Sequence, residues 1–420
     1  MTSAEWNEYI AALRSGRYTK ICRLRFLNPD GSAAFVLDND PANKKSGAFI
    51  EGGTLSANQQ NGTRRTVDVK LANVDEEFSY NYNKVWFGTE IALDMGMITP
   101  SGTELWFPQG VFRVTNPNET VNPNEASVSF SLTDKWAGID GTLHGNLETT
   151  YIVTNGTNIF TPIASILASD RGDGQPYDNV SPIFTEYYNG KTQIATDGST
   201  VAVTDAPYTL TVDSDDGTVA DVVLGLCEML NAWVGYDPSG RLRVDPSQDD
   251  ILDSDKPVAW RFSLDEAQAV GLAYQSKIED VKNDYIVVGF QMEDYTQPAA
   301  RVQNLDPASD TNINLIGRRT KRESRNEFAT NTICEDYAVW MLKRTAILHK
   351  AVTIQCNQIF HMDTNELVEI IRTDRATPTQ EIHLVQSFTL PLTGTDTMTI
   401  TATSVHDFPD ATVTTWPPAS

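Results

Sequence analysis

Few residues in this sequence are spaced for chemistry. The five histidines are scattered; His349 and His361 stand twelve apart with no cysteine pair nearby, so they read as satisfied surface or core histidines. Cys22, Cys227, Cys334 and Cys356 form no C-x-x-C pair, and Cys227 and Cys334 fall within helical patterns, which fits buried, reduced thiols. The run Asp213-Ser214-Asp215-Asp216-Gly217 opens like a calcium loop. It places Leu224 where the twelfth-position glutamate would have to be, so a turn and helix cap is the better reading. No H-E-x-x-H, G-x-S-x-G or phosphate-loop motif occurs. Fifty-six acidic residues always supply carboxylate pairs, but no two are singled out for glycoside hydrolysis. No catalytic, cofactor-binding or metal-ligating residue is therefore expected, and the default is a binding or assembly protein rather than an enzyme.

One cluster breaks the pattern. Arg318, Arg319, Lys321, Arg322 and Arg325 lie together in a chain with 32 basic against 56 acidic residues and a net charge of -24. They read either as a solvated loop or as an electrostatic contact with an acidic face of a neighbouring subunit. The overall field repels phosphate backbones, and the cluster lacks interleaved aromatics, which argues against specific nucleic-acid binding.

The elements that would position these residues come from periodicity. At 420 residues and 40% hydrophobic content the chain is expected to fold as two to four domains. It has no apolar run of transmembrane length and no secretory signal, so synthesis and folding in a cytosol are expected. The first twenty residues predict a short helix with Trp6, Ile10 and Leu13 on one face. Strand patterns follow at 20–27, 34–37, 66–71, 104–115 and 127–132, the first two separated by the turn Asn28-Pro29-Asp30-Gly31. A helical pattern covers 158–168. A second starts at a capping box formed by Thr218 and Asp221 and runs through Trp233 to a terminating Gly235. Residues 284–290 read as a buried strand and 291–326 as a polar loop. A long helix at about 329–348 is capped by Thr332 and Glu335 and carries Ile333, Tyr337, Trp340, Met341 and Leu348. Strands close the chain at 351–355, 366–371, 381–390 and 397–405.

Three stretches carry a family likeness. They are 55–93 with 106–120 and 127–143 (LSANQQNGTRRTVDVKLANVDEEF…, WFPQGVFRVTNPNET, SVSFSLTDKWAGIDGTL); TVADVVLGLCEMLNAWVGYDPSGRLRVDP at 218–246; and KNDYIVVGF at 282–290 with ELVEII and TMTITATSV. The layout resembles the tail hub (baseplate hub) proteins of tailed bacteriophages over roughly residues 20–406. The resemblance implies an α+β, mainly β fold: two β-barrel-like domains with helix-containing domains between or beside them. Its domains would be 1–150, a mixed α/β unit at 151–265, and 266–420 with the long helix; the barrels would use 20–142 and 270–290 with 350–406.

It further implies a non-enzymatic homotrimer at the tail tip, a pseudo-sixfold ring that joins the sixfold tail to a threefold tip and lets DNA pass. Its partners would be a distal tail or tail tube protein, the tape measure protein, and a tip, fibre or receptor-binding protein. Its place would be the virion tail, after synthesis in the bacterial cytoplasm. Because the sequence stops at Thr-Thr-Trp-Pro-Pro-Ala-Ser, receptor binding or wall digestion is expected from a separate protein. Two alternatives stay open: a hexameric distal tail protein, and a β-rich carbohydrate-active enzyme with paired carboxylates in an aromatic-lined cleft. The charge suggests an acidic lumen that DNA slides past, or simply surface acids that maintain solubility.

Overall fold

Alternation of apolar and polar residues builds most of the molecule. The computed structural model describes the chain except residues 40–49, 73–85, 123–124, 196–198, 247–255, 264–268, 277, 292–295, 327, 349, 375–376, 378, 395, 406–408 and 415–420. His349 and the last residues of the chain thus lie outside the described residues.

Seven strands come first: β1 (Thr19–Leu27), β2 (Ala33–Asp38), β3 (Ile50–Asn58), β4 (Arg65–Ala72), β5 (Glu90–Ile98), β6 (Glu104–Asn122) and β7 (Glu125–Asp134). The turn joining β1 to β2 is the one expected: Gly31 sits at φ 80°, where a side chain would be strained, and its N–H donates to the Asn28 carbonyl at 2.8 Å. The strands lie in the order β2-β1-β5-β6-β7-β4-β3. Beyond β3 the same sheet continues through Thr379–Pro391, Met398–Ser404, Lys350–Cys356 and Ala269–Ser276. The join is antiparallel, with Leu55 opposite Leu390 and Ala57 opposite Phe388. A branch, Leu367–Arg372 and then Val258–Ser263, pairs with the far end of Thr379–Pro391. The chain is mainly β, as expected, and both strand-rich segments belong to one 13-stranded sheet. One core spans both, from Leu24, Phe26, Val67 and Phe130 to Val352, Phe388 and Ile400, all buried.

Helix α1 (Ser3–Ser15) closes over this core. Thr2 and Glu5 form its capping box and Gly16 ends it in a left-handed conformation. Its buried residues are Tyr9, Ala12 and Leu13; Trp6, expected on the inner face, is 39% exposed. The Tyr9 hydroxyl explains the rotation: it accepts the Phe360 N–H at 3.0 Å and bonds His361 Nδ1 at 2.9 Å.

A second unit packs α2 (Phe160–Leu167) against α3 (Val219–Met229), beside the hairpin of Ala232–Tyr236 and Leu242–Pro246. The capping box of Thr218 and Asp221 is present. The helix is shorter than expected: Asn231 takes φ 52° and turns the chain, so Trp233 and Gly235 lie in a strand. A left-handed asparagine ends a helix as glycine does.

A third unit is a four-stranded sheet, ordered Thr320–Ser324, Asp284–Val288, Ala299–Asn304 and Ala411–Thr414. The short α4 (Ile313–Ile316) precedes the first of these, and α5 (Asn331–Thr345) covers the sheet. Residues 291–326, read as a loop, therefore contain two strands and a helical turn. Asp284–Val288, assigned with the second barrel, belongs to this separate sheet. The N-cap of α5 is Thr330, whose Oγ1 accepts the Ile333 N–H at 3.3 Å, two residues before the expected cap. Its buried face is Ile333, Cys334, Ala338 and Leu342, while Tyr337, Trp340 and Met341 are half-buried.

Candidate functional site

The basic cluster lies on the edge strand of the four-stranded sheet. Thr320–Ser324 pairs in parallel with Asp284–Val288, placing Lys321 opposite Tyr285 and Arg322 opposite Ile286. Strand alternation then sorts the side chains. Glu323 turns toward α5, where the hydroxyls of Tyr285 and Tyr337 donate to it at 2.5 and 3.0 Å. Across the sheet, buried Asp284 accepts from Arg301 twice at 2.8 Å, from Gln303 at 2.9 Å and from Thr320 at 2.5 Å. Burial works to raise its pKa, but those hydrogen bonds outweigh it and hold the carboxyl below the usual range.

The five cations divide by orientation. Arg319 turns inward, its guanidinium donating to the carbonyls of Val281 at 3.0 Å and Glu279 at 3.2 Å. Arg325 also points inward, paired with Glu228 at the end of α3 at 2.8 Å and lying 4.9 Å from the Tyr337 ring centre. Arg318, Lys321 and Arg322 are exposed; Arg318 approaches Asp284 only to 3.8 Å and Lys321 approaches Glu323 to 3.7 Å. The outer side of this edge strand has no strand partner among the described residues.

Arg325 also forms part of the wall of a cleft of about 320 Å³ between the end of α3 and α5. Tyr187, Tyr208, Tyr337 and Trp340 line it together with Glu228 and Asp336. Burial, with Glu335 adding to it, raises the Asp336 carboxyl above its ordinary value. Nothing in the sequence pattern placed Tyr187 and Tyr208 beside α5, because more than 120 residues separate them from Tyr337.

A different set of residues, not singled out from sequence, fixes the units together. Arg64 and Arg65 are fully buried at the start of β4. Their N–H groups donate to Asp134 at 2.9 and 3.0 Å. Arg65 pairs with Asp363 and donates to the Gln109 carbonyl at 2.7 Å, linking the two parts of the large sheet. Arg64 bonds Thr364 and stacks 3.6 Å from the Trp233 ring centre, bringing in the α3 unit, and burial lowers its pKa to about 9. Nearby, Lys135 pairs with buried Asp178. Two adjacent arginines ahead of a strictly alternating strand were the available signal.

The remaining candidates fall in place. His361 is held by Tyr9 and, at 3.3 Å, the Ala259 carbonyl. The four cysteines are free and buried; burial pushes Cys22 and Cys356 up to about 12 and Cys334 up to about 11. Thiols held that firmly protonated are poor nucleophiles. Trp136, Trp233 and Trp260 are buried, whereas Trp86 is 42% exposed. Among the described residues no His, Cys, Asp and Glu group could hold a metal ion, and no helix is long and apolar enough to cross a membrane.

No protein-family model matches the sequence, and no curated protein matches it either. Solved structures do match. The 43 kDa tail protein of prophage MuSo2 from Shewanella oneidensis superposes with a TM-score of 0.57 at 11% identity, covering 92% of this chain and 98% of that one. A tail protein from Neisseria meningitidis MC58 gives 0.57 at 9% identity, covering 93% and 97%. The prophage tail protein gp18 of Listeria monocytogenes gives 0.53 at 8% identity, covering 92% and 94%. With both chains matched almost end to end, this protein has the fold of bacteriophage tail proteins.

Proposed function

We propose that this chain is a structural tail hub protein. It forms a homotrimeric ring at the tail tip, adapts a sixfold tail to a threefold tip and lets DNA pass without performing catalysis. The observation that carries this reading is the near end-to-end likeness to three tail proteins from different hosts. In this reading the chain divides at 1–150, 151–265 and 266–420, the first and last parts joined through one continuous sheet and core. Its partners are a distal tail or tube protein above, the tape measure protein within, and a tip, fibre or receptor-binding protein below. The outward cations Arg318, Lys321 and Arg322 meet an acidic face of the adjacent subunit, with Arg319 and Arg325 fixing the strand that presents them. A net charge of -24 supports an acidic lumen that repels the phosphates of DNA in transit.

The test is native mass over a concentration series, for the wild-type chain and for a charge-reversed Arg318→Glu, Lys321→Glu, Arg322→Glu variant. The expected result is a wild-type trimer and a variant trimer that already dissociates at higher protein concentration, most of all at low salt, where the like-charge repulsion is least screened. A wild-type hexamer would replace the hub with a distal tail protein. A variant trimer as tight as wild type would remove the basic strand from the interface.

A further inference from the structure

The cleft between α3 and α5 has the make-up of a carbohydrate site. Tyr337 and Trp340 stand together on α5, ring centroids 5.5 Å apart. Arg344 lies 4.4 Å from the Trp340 ring centre, and the Trp340 ring is part of the cleft wall. The Trp340 Nε1–H is buried and has no hydrogen-bond partner among the described residues.

The polar lining balances in sign, with Lys191 and Arg325 against Glu228 and Asp336. Arg325 is committed to Glu228, and the Lys191 ammonium sits 3.2 Å from the Tyr187 ring centre. Asp336 has no hydrogen-bond or ion-pair partner among the described residues, so its carboxylate is available to accept from a ligand.

Each alternative ligand class meets an obstacle. An anion would face Glu228 and Asp336. A cation would compete with Lys191 and Arg325 for the same rings. A neutral polyhydroxylated ring suits these lining groups at once, with its C–H face on an aromatic plane and a hydroxyl donating to a carboxylate. The cleft volume, about 320 Å³, lies at the lower end of the range of small-molecule sites, roughly 300–1,000 Å³.

We propose that this cleft binds a neutral oligosaccharide, with Trp340 as the stacking platform and Asp336 as the acceptor for a sugar hydroxyl. The inference is independent of the hub reading, since it requires only the monomer's own residues. The experiment titrates the full chain with the N-acetylglucosamine tetramer and, separately, with maltotetraose, followed by tryptophan fluorescence and calorimetry. Saturable binding of either sugar is expected, weakened about tenfold by Trp340→Ala and by the isosteric Asp336→Asn. Binding of the first sugar alone would assign recognition to the acetamido group; binding of both would assign it to the ring. Lack of binding by both sugars at millimolar concentration would overturn the proposal. So would affinities unchanged in both variants, with Asp336→Asn deciding if Trp340→Ala unfolds.

Discussion

Replacing Arg65 with methionine tests how the two parts of the large sheet are held together. The guanidinium is completely buried, pairs with Asp363 and donates to the Gln109 carbonyl at 2.7 Å. Methionine keeps most of the aliphatic length but leaves the Asp363 carboxylate buried without its cation. Breaking one side of a buried pair costs about 3–5 kcal/mol. Unfolding a chain of 420 residues as one unit carries an entropy of about 0.9 kcal/mol/K, so the melting temperature should fall by about 3–6 °C. Differential scanning calorimetry measures this directly, and a larger drop would mean that a smaller unit melts on its own. Adding Asp363→Asn to Arg65→Met should recover part of the loss, because the stranded charge is then gone. The reasoning fails if Arg65→Met melts within 1 °C of wild type, or if the second change makes matters worse.

Two further perturbations probe other junctions. Gly235→Ala would drive a methyl group into the Arg64 side chain and separate the α3 hairpin from β4; a loss of about 1–3 kcal/mol is expected in denaturant unfolding, and an unchanged midpoint would show that Arg64 can move aside. His361 is packed among the rings of Trp6, Tyr9, Phe107 and Trp260, and burial lowers its pKa below the ordinary 6.5. The unfolded chain therefore takes up the proton first. Stability from the neutral ring is complete above about pH 6.5 and declines as pH falls toward the lower folded value. Wild type should lose more stability than His361→Gln between pH 7 and pH 5, and equal losses would remove His361 from the pH response.

Where one side chain per residue decides the structure, the sequence could be read directly. Thr218 and Asp221 cap α3, Asn28 to Gly31 make the β1–β2 turn, and Val67, Val69 and Leu71 alternate into the core. The errors arose where long-range pairing outweighs local pattern. Ala232–Tyr236 continues an apolar stripe at helical spacing, yet the Leu242–Pro246 strand and left-handed Asn231 make it a strand. Thr320–Ser324 is polar throughout and, among the described residues, is an edge strand paired on one side, so it carries no apolar alternation to mark it. The basic cluster was visible as a charge run, but its division into inward and outward members depends on contacts with Glu279, Val281 and Glu228 that no spacing encodes. The aromatic cleft needed the fold, since its walls come from distant segments.

The pairing of β3 with Ser387–Pro391 also sets a schedule for the nascent chain. About 330 residues separate Asn58 from Ser387, so at 5–20 residues per second the ribosome leaves that edge of β3 bare for roughly 15–65 s. Tyr9 on α1 waits slightly longer for the Phe360 N–H. The first segment can form its hairpins early, but it cannot finish its sheet until Ser387–Pro391 has emerged from the ribosome. During that interval it presents Leu55 and Ala57 beside unpaired backbone, the kind of surface that captures a second nascent chain on the same message. Slowing elongation should therefore raise the insoluble fraction of this protein, the reverse of what slow translation does for a chain whose domains close one at a time.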